Sequence, residues 1–325
     1  MNQFVTKTFP NHWSIATGLY EESHGIVSNH FWAGDLDKEF NAFGRPAFKY
    51  AWDPKFWGGE PIWKTNEKHG KVSGSLFWVG SEVPVMRPTH WLRYDQDMDW
   101  YKRVDTVIEW LTNTNTSFST LYFHEPDHTG HEYGPVSPEV GKVMERVDDI
   151  LGYLLSKLPK DINLIVTSDH GMVGLEKSKA IEIEEALPRN MYAKWFGELT
   201  HAGIWPHKNE DLPMLKSRVE NLHPKLTAYF RHEIPERFHL KHFKGKDRVP
   251  PLILLAEEPW QVCRTKKEAF LKGEHGYDNM NMNMHPIFFA KGPDFIVEPD
   301  VLEEPFSNVD IYPLMCHLLG IDAFE

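Results

Sequence analysis

Two apolar, β-prone runs separated by one long amphipathic helix constrain the fold of this chain more than any other feature. The first run, residues 117–123, reads SFSTLYF, and the second, residues 162–167, reads INLIVT. Ser137 and Pro138 suit a helix N-cap and first helical position, and Pro159 ends the helical pattern. The apolar residues at helical spacing are Val140, Val143, Met144, Val147, Ile150, Leu151, Leu154 and Leu158. This order predicts a right-handed strand–helix–strand unit in a parallel sheet, with the second strand buried.

Other segments extend the pattern to a whole α/β domain. Residues 74–79 and 286–290 are further strand candidates, and residues 100–111 and 309–319 predict amphipathic helices. Residues 174–258 are mixed in pattern and contain many Pro, His and Lys, so we expect a small α+β insertion there. The 325 residues, 41% of them hydrophobic, suffice for one large domain or two smaller ones. The expected fold class is α/β, with a central, mostly parallel sheet flanked by helices.

The net charge excludes one class of function. A charge of -12 leaves no excess of Lys and Arg to displace phosphate counterions, so we expect no nucleic-acid polymer as a partner. A small anionic ligand remains compatible, because a bound metal ion can outweigh nearby acidic charge. The two cysteines, Cys263 and Cys316, could pair or stay free.

Aspartate and histidine side chains follow both predicted strands. Asp127 and His131 stand after the first strand, and Asp169 and His170 directly follow the second. Parallel strands would bring both loops to one edge of the sheet, where open α/β sheets bind ligands. His275 lies in a glycine-flanked segment further along. Nitrogen and oxygen ligands together suit zinc, and five candidates exceed the about three protein ligands of one catalytic zinc. We therefore expect a two-zinc site, although a scatter of unrelated residues is the alternative in a chain with 18 His.

The N-terminal segment offers a nucleophile. Thr8 and Pro10 stand at the start of a helical stretch that ends near Gly18. A hydroxyl at this position would lie where backbone N–H groups and the helix dipole stabilise an alkoxide or a phosphate. Threonine is a weak nucleophile unaided, and a bound zinc ion would activate it. The alternative is that Thr8 merely caps the helix.

Together these segments resemble the ectonucleotide pyrophosphatase/phosphodiesterase family, part of the alkaline phosphatase superfamily. The matching motifs are TKTFPNH at 6–12, TGLY at 17–20, ESHGI at 22–26, Asn29, PIW at 61–63, EPD at 125–127, Gly130-His131, YGP at 133–135, SDHGM at 168–172 and HGYDN at 275–279. The resemblance runs from residue 4 to about residue 320. It implies an alkaline-phosphatase-like fold and one phosphodiesterase catalytic domain over residues 1–325.

The resemblance implies a role for each matching residue. Thr8 is the expected nucleophile, which forms a covalent nucleotidyl intermediate, and Asn29 would hold a non-bridging phosphate oxygen. The expected ligands are Asp127, His131 and His275 for one Zn²⁺, and Asp169, His170 and Thr8 for the other. Phe9 and Tyr94 match aromatic side chains that clamp a nucleobase, with ordinary core packing as the alternative for both rings.

Two departures from the family pattern bear on activity. Family members carry a further strand before the nucleophile, with an Asp-Gly pair that binds the second zinc, and no such pair precedes Thr8 here. We therefore expect a catalytic domain that is N-terminally incomplete and a second zinc site that lacks one ligand. Val79 and Glu82 stand where relatives commonly have proline and aspartate, in a loop beside the substrate pocket.

The resemblance predicts zinc-dependent hydrolysis of phosphodiester or pyrophosphate bonds in extracellular nucleotides. Phe9, directly after the nucleophile, favours nucleotides as substrates. A choline-type (lyso)phospholipid phosphodiesterase is the first alternative, because Arg87-Pro88-Thr89 and Gly273-Glu274-His275-Gly276, with Met282 and Met284, resemble the lipid-cleaving members. Aromatic side chains could also box a quaternary ammonium group. An inactive ligand-binding domain is the second alternative.

An extracellular or cell-surface location is implied by the resemblance alone. Residues 1–7 lack the layout of a signal peptide, and no apolar run reaches the roughly 18 to 20 residues of a membrane span. We therefore expect membrane attachment only through segments outside this chain. The glycosylation sequon at residues 115–117 is compatible with secretion.

Overall fold

The computed structural model describes residues 1–43, 51–243, 247–295 and 304–324; residue 325, the last of the predicted domain, lies outside them. The α-helices are α1 (Thr8–Thr17), α2 (Glu21–His24), α3 (Ile62–Lys68), α4 (Trp100–Asn113), α5 (Asp127–Tyr133), α6 (Pro138–Lys157), α7 (Leu212–Val219) and α8 (Ile311–Leu319). The strands are β1 (His30–Ala33), β2 (Lys38–Asn41), β3 (Val72–Leu76), β4 (His90–Leu92), β5 (Thr116–Leu121), β6 (Leu164–Thr167), β7 (Val173–Gly174), β8 (Ala180–Glu182), β9 (Lys194–Gly197), β10 (His201–Trp205), β11 (Leu226–Phe230), β12 (Leu252–Ala256), β13 (Gln261–Cys263), β14 (Gly273–Glu274) and β15 (Phe288–Lys291).

A three-stranded parallel sheet, ordered β4-β3-β5, precedes the segment that carries Asp127 and His131. Gly74 of β3 pairs with His90 of β4 and with Ser119 of β5. Helix α4 packs against this sheet, because its apolar residues recur at helical spacing and form one stripe. The prediction of a parallel sheet is confirmed for these strands. Strand β3 ends earlier than predicted, because Phe77 has a positive φ of 70°.

The two strands on either side of α6, β5 and β6, belong to different sheets within the described residues. Helix α6 begins as predicted, where the Ser137 side chain accepts a hydrogen bond from the N–H of Val140 at 3.3 Å. Strand β6, however, pairs antiparallel with β15, and no pairing with β5 is found in the described part of the chain. Its four residues are only half-buried. Hydrophobic periodicity indicates which segments are strands, but it does not specify which edges meet.

A four-stranded antiparallel sheet, ordered β11-β12-β10-β9, lies within the range predicted as an insertion. Strands β9 and β10 form a hairpin in which Gly197 pairs with Ala202. Helix α7 packs on this sheet with Leu215 and Val219 fully buried, in a core cluster separate from the main one. The division of the chain into a domain and an insertion at residues 174–258 stays a prediction.

The largest core cluster surrounds α1. Phe9, Trp13 and Ala16 of this helix are buried there, together with Cys316 of α8. Cys316 and Cys263 are both buried and free, which answers the question of pairing left open by the sequence. Burial raises the pKa of the Cys263 thiol to about 11, so its reactivity is low. None of the helices in the described ranges combines the length and apolar character that a membrane crossing requires.

Candidate active site

Helix α1 brings the Thr8 hydroxyl to the predicted metal ligands. Lys7 is the N-cap residue of α1, and it makes no side-chain cap hydrogen bond. Thr8 is the first helical residue, and its Oγ1 lies 3.3 Å from Nε2 of His170. Thr8 is therefore not the N-cap residue of α1, and its role stays a prediction. The hydroxyl lies at the N-terminus of α1, where the helix dipole favours an anionic ligand.

Three histidines are oriented by the same kind of contact. The Nδ1 atoms of His131, His170 and His275 lie 2.8, 2.9 and 2.8 Å from main-chain carbonyl oxygens. Since a carbonyl oxygen only accepts, each ring carries a proton on Nδ1 and directs Nε2 into the site. Backbone contacts of this kind fix the ring orientation of metal-ligating histidines.

The three Nε2 atoms converge on Asp127, the first residue of α5. Its Oδ1 lies 3.4 Å from Nε2 of His131, 3.5 Å from that of His275 and 4.0 Å from that of His170. This buried oxygen has no hydrogen-bond partner among the described residues. Burial, with positive groups nearby, lowers the pKa of His275 well below its ordinary value, so its Nε2 lone pair is free. An unpaired carboxylate oxygen facing imidazole nitrogens fits a cation with the ligand preferences of zinc.

A second group of donors includes Glu274, which the sequence did not identify. One ligand atom each from His131, Glu274 and His275 lie within 4.8 Å of one another. Glu274 also pairs with Lys7, whose Nζ lies 2.9 Å from Oε1. Gly273 permits this approach, because a Cβ there would lie 2.4 Å from a carbonyl oxygen of α5. In the sequence, Glu274 stood out only as a neighbour of His275 within the segment at 273–276 that resembles the lipid-cleaving members.

Asp169 is paired with two imidazoles. Its Oδ2 lies 3.1 Å from Nε2 of His170 and 3.2 Å from Nδ1 of His12. Burial opposes ionisation of Asp169, but the two imidazoles outweigh it and lower the pKa of the carboxyl well below its ordinary value. Asp169 in turn outweighs burial at His170 and raises the pKa of that imidazole to about 9. The surroundings of His170 Nε2 therefore favour a positive charge. His12, on α1, is a contact that the sequence analysis did not assign.

Asn29, in the segment before β1, reaches the first turn of α1. Its Oδ1 accepts a hydrogen bond from the backbone N–H of Phe9 at 2.8 Å. The side-chain amide nitrogen is therefore the group left to donate toward a ligand. Phe9 itself is only 7% exposed. Its ring packs within the main core against Phe40, Phe43, Trp52 and Trp57.

Tyr94 lies in a different core cluster from Phe9. Its half-buried ring packs edge-to-face on Phe77, with centroids 5.4 Å apart. The backbone N–H of Tyr94 donates to Oε1 of Glu82 at 2.9 Å. Burial raises the pKa of Glu82, which belongs to the loop that departs from the family pattern. This loop therefore fixes the position of Tyr94.

A threonine hydroxyl at a helix N-terminus, close to imidazoles and carboxylates in an α/β domain, is an arrangement typical of hydrolases. The sequence profile described as "Type I phosphodiesterase / nucleotide pyrophosphatase" matches residues 1–278. The human "Ectonucleotide pyrophosphatase/phosphodiesterase family member 5" is 38% identical over 331 residues, 99% of this chain and 67% of its own length. The mouse "Bis(5'-adenosyl)-triphosphatase enpp4" is 37% identical over 333 residues, 98% of this chain and 70% of its own length.

Solved structures agree with the sequence comparisons. The murine ectonucleotide pyrophosphatase/phosphodiesterase 5 has a TM-score of 0.91 at 39% identity, covering 100% of this chain and 86% of that one. An inactive threonine-to-alanine form of the same murine protein, in complex with AMP, matches equally well. The chain belongs to the type I phosphodiesterase / nucleotide pyrophosphatase family. The resemblance to the ectonucleotide pyrophosphatase/phosphodiesterases and the expected fold class are thus confirmed.

Proposed function

We propose that this chain hydrolyses phosphodiester or pyrophosphate bonds of nucleotides, using two zinc ions and a covalent intermediate on Thr8. The observation that carries the proposal is the 3.3 Å separation of Thr8 Oγ1 from His170 Nε2, within the cluster around Asp127. The relatives support a nucleotide substrate, since one is named a bis(5'-adenosyl)-triphosphatase and another was solved with AMP. The inactive form of the latter lacks a threonine, which supports a threonine-dependent reaction.

The proposed ligands are those that the resemblance implied, namely Asp127, His131 and His275 for one Zn²⁺, and Asp169, His170 and the Thr8 hydroxyl for the other. Proximity supports them: one ligand atom each of Asp127, His170 and His275 lie within 4.8 Å of one another, as do those of His131, Glu274 and His275. Asp169 contacts His170 at 3.1 Å, and Thr8 contacts His170 at 3.3 Å. Bound zinc would lower the pKa of a ligated hydroxyl and offset the negative charge of a phosphate.

In the proposed reaction, Thr8 Oγ attacks phosphorus and forms an O–P bond while the bond to the leaving oxygen breaks. The hydroxyl proton passes to solvent, and the leaving oxygen takes the electron pair of the broken bond. A water oxygen then bonds to phosphorus while the bond from phosphorus to Thr8 Oγ breaks. One proton returns to Thr8 Oγ, and the nucleoside monophosphate is released. The amide N–H of Asn29 would donate to a non-bridging oxygen as its charge grows. Phe9 and Tyr94 remain the proposed base-contacting rings, with Tyr94 offering more accessible surface than Phe9.

Strands β5 and β6 each leave one edge unpaired within the described residues, because β5 ends one sheet and β6 pairs only with β15. Leu121 of β5 and Leu164 of β6 nevertheless pack on the same cluster beneath α4 and α6. Open strand edges on one core are a ready template for strand addition.

An extracellular or cell-surface location is proposed from the relatives, which are named ectonucleotide enzymes. The proposed partner is a small phosphodiester and not a nucleic-acid polymer. Nothing in the structure or the relatives' names favours the choline phospholipid or the inactive-domain alternative, so both serve as outcomes of the test.

The test compares hydrolysis of the nitrophenyl ester of thymidine monophosphate with that of nitrophenyl phosphorylcholine, with added zinc and with a chelator. We expect zinc-dependent turnover of the nucleotide ester that the chelator abolishes. Preference for the choline ester would show that choline-type phospholipids, and not nucleotides, are the substrate class. No turnover of either ester by folded, zinc-supplied protein would overturn the enzyme proposal for this chain.

A further inference from the structure

The tip of the β9–β10 hairpin, residues 198–200, reaches the segment that carries Asn29. The turn is tight, because the N–H of Glu198 donates to the carbonyl oxygen of His201 at 2.9 Å. Leu199 has a φ of 63°, which is unfavourable for a side chain of its size. Such local strain persists only where surrounding contacts impose it, and it clusters at functional sites. The contacts made by Glu198 are therefore of particular interest.

The Glu198 carboxylate holds the residues on both sides of Asn29. Its Oε1 accepts hydrogen bonds from Oγ of Ser28 at 2.5 Å and from the backbone N–H of His30 at 2.8 Å. Its side chain is 12% exposed. Asn29, between the two held residues, accepts the hydrogen bond from Phe9 that orients its side-chain amide. Glu198 thus fixes the backbone from which Asn29 projects.

Two further contacts keep the Glu198 carboxylate in place. The buried Nζ of Lys7, the residue before the proposed nucleophile, lies 3.8 Å from Oε2. On the other side, Ser28 Oγ lies 3.2 Å from Nε2 of His201. Burial, aided by Lys7, lowers the pKa of His201 to about 3, so this imidazole is neutral. Its N–H can therefore donate to Ser28, whose own proton is directed to Glu198.

We propose that Glu198 is a positioning residue, which holds Asn29 in the orientation needed to donate to the phosphate oxygen in the transition state. The inference rests on the proposed function, because it assigns Glu198 a role only through Asn29. It also assigns the hairpin of the antiparallel sheet a part in the catalytic geometry.

The test is a double-mutant cycle with the nitrophenyl ester of thymidine monophosphate as the probe. Loss of a transition-state donor typically lowers kcat by about 10²–10³-fold, so we expect that loss for Asn29→Ala. Misplacement of a catalytic group costs up to about 10²-fold, so Glu198→Ala should lower kcat by about 10- to 100-fold with little change in KM. The double variant Glu198→Ala/Asn29→Ala should be no slower than Asn29→Ala alone. If the loss of kcat in the double variant equalled the product of the two single losses, the positioning role would be contradicted, because Glu198 would then act independently of Asn29.

Two more variants separate this role from a general effect on folding. Glu198→Gln keeps an acceptor oxygen for Ser28 and His30, so it should lose less activity than Glu198→Ala. Glu233→Ala is the matched control, because Glu233 likewise accepts from a backbone N–H, that of Phe230, and pairs with Lys216 in the same antiparallel unit. Its kcat should equal that of the unmodified chain. Glu198→Ala at full kcat would overturn this inference alone, whereas Asn29→Ala at full kcat would overturn it together with the proposed role of Asn29.

Discussion

At the scale of single residues, buried carboxylates in this protein differ in whether a partner compensates their charge. Asp169 and Glu198 each face a positive or donating group at close range. Glu21, the first residue of α2, is fully buried, and neither of its carboxylate oxygens has a hydrogen-bond partner among the described residues. Burial raises the pKa of Glu21 well above its ordinary value of 4.5. This carboxyl therefore destabilises the folded protein at any pH at which the unfolded chain would ionise it.

The consequence is a pH-dependent gain in stability for Glu21→Gln. Below pH 4.5 the carboxyl is protonated in both folded and unfolded chains, so the substitution should have little effect there. As pH rises toward the elevated folded pKa, the unfolded chain ionises first and the native protein loses stability. Glu21→Gln removes that loss and should raise the free energy of unfolding at pH 7 by about 1–3 kcal/mol. Denaturant unfolding at pH 4 and pH 7 measures the difference.

The matched control is Glu109→Gln, at an exposed position of α4. It should leave the free energy of unfolding within about 0.5 kcal/mol at both pH values. If Glu21→Gln were equally neutral at pH 7, the carboxylate would have an adequate partner and the account of this residue would be wrong.

At the scale of elements, the distance between the candidate metal ligands His131 and Glu274 depends on how closely α5 approaches β14. A Cβ on Gly273 would lie 2.4 Å from the carbonyl oxygen of Gly130 and 2.8 Å from Sδ of Met172. Because a backbone oxygen cannot give way easily, Gly273→Ala should push His131 away from Glu274. We expect zinc affinity to fall by about 10- to 100-fold, as it does for other substitutions that disturb the residues orienting a metal ligand. Competitive titration with a chromogenic chelator measures it.

Gly152→Ala is the companion variant on α6. No atom lies within 4 Å of a Cβ built there. Since alanine favours a helix over glycine, this variant should gain up to about 1 kcal/mol of stability with unchanged zinc affinity. Wild-type zinc affinity in Gly273→Ala would show that the approach of these elements does not set the site.

That the candidate metal ligands lie close together could be predicted from the sequence, because most of them follow a strand or begin a helix. Asp127, Asp169 and His170 stand where apolar runs end, and the structure brings them together with His131 and His275. The roles of residues that position other site residues could not be predicted in this way. Glu198 belongs to a charged hairpin tip far along the chain from Asn29, and only the three-dimensional contact reveals its partner. For Phe9 the sequence left core packing and base contact open, because the rings that pack against it come from other segments.

At the scale of the whole molecule, the chain combines a parallel sheet with an antiparallel one that contributes to the same site. The parallel sheet and its helices could be predicted from periodicity, and agreement with the murine relative at a TM-score of 0.91 confirms the class. The prediction that was wrong is the burial of β6, whose apolar sequence predicted a fully buried strand. Its half-buried state follows from pairing on one side only within the described residues. Apolar sequence reports what a strand can bury, whereas burial itself depends on neighbouring strands.

The central claim is that Thr8 is the nucleophile of a zinc-dependent phosphodiesterase. The most direct measurement is kcat for the nucleotide ester in zinc-loaded Thr8→Ala, beside Thr112→Ala as control, since Thr112 lies exposed on α4 and donates only to Ile108. The account predicts that Thr8→Ala folds normally but loses at least about 10³-fold in kcat, while Thr112→Ala keeps full activity. Turnover by Thr8→Ala at the rate of the control would contradict the claim.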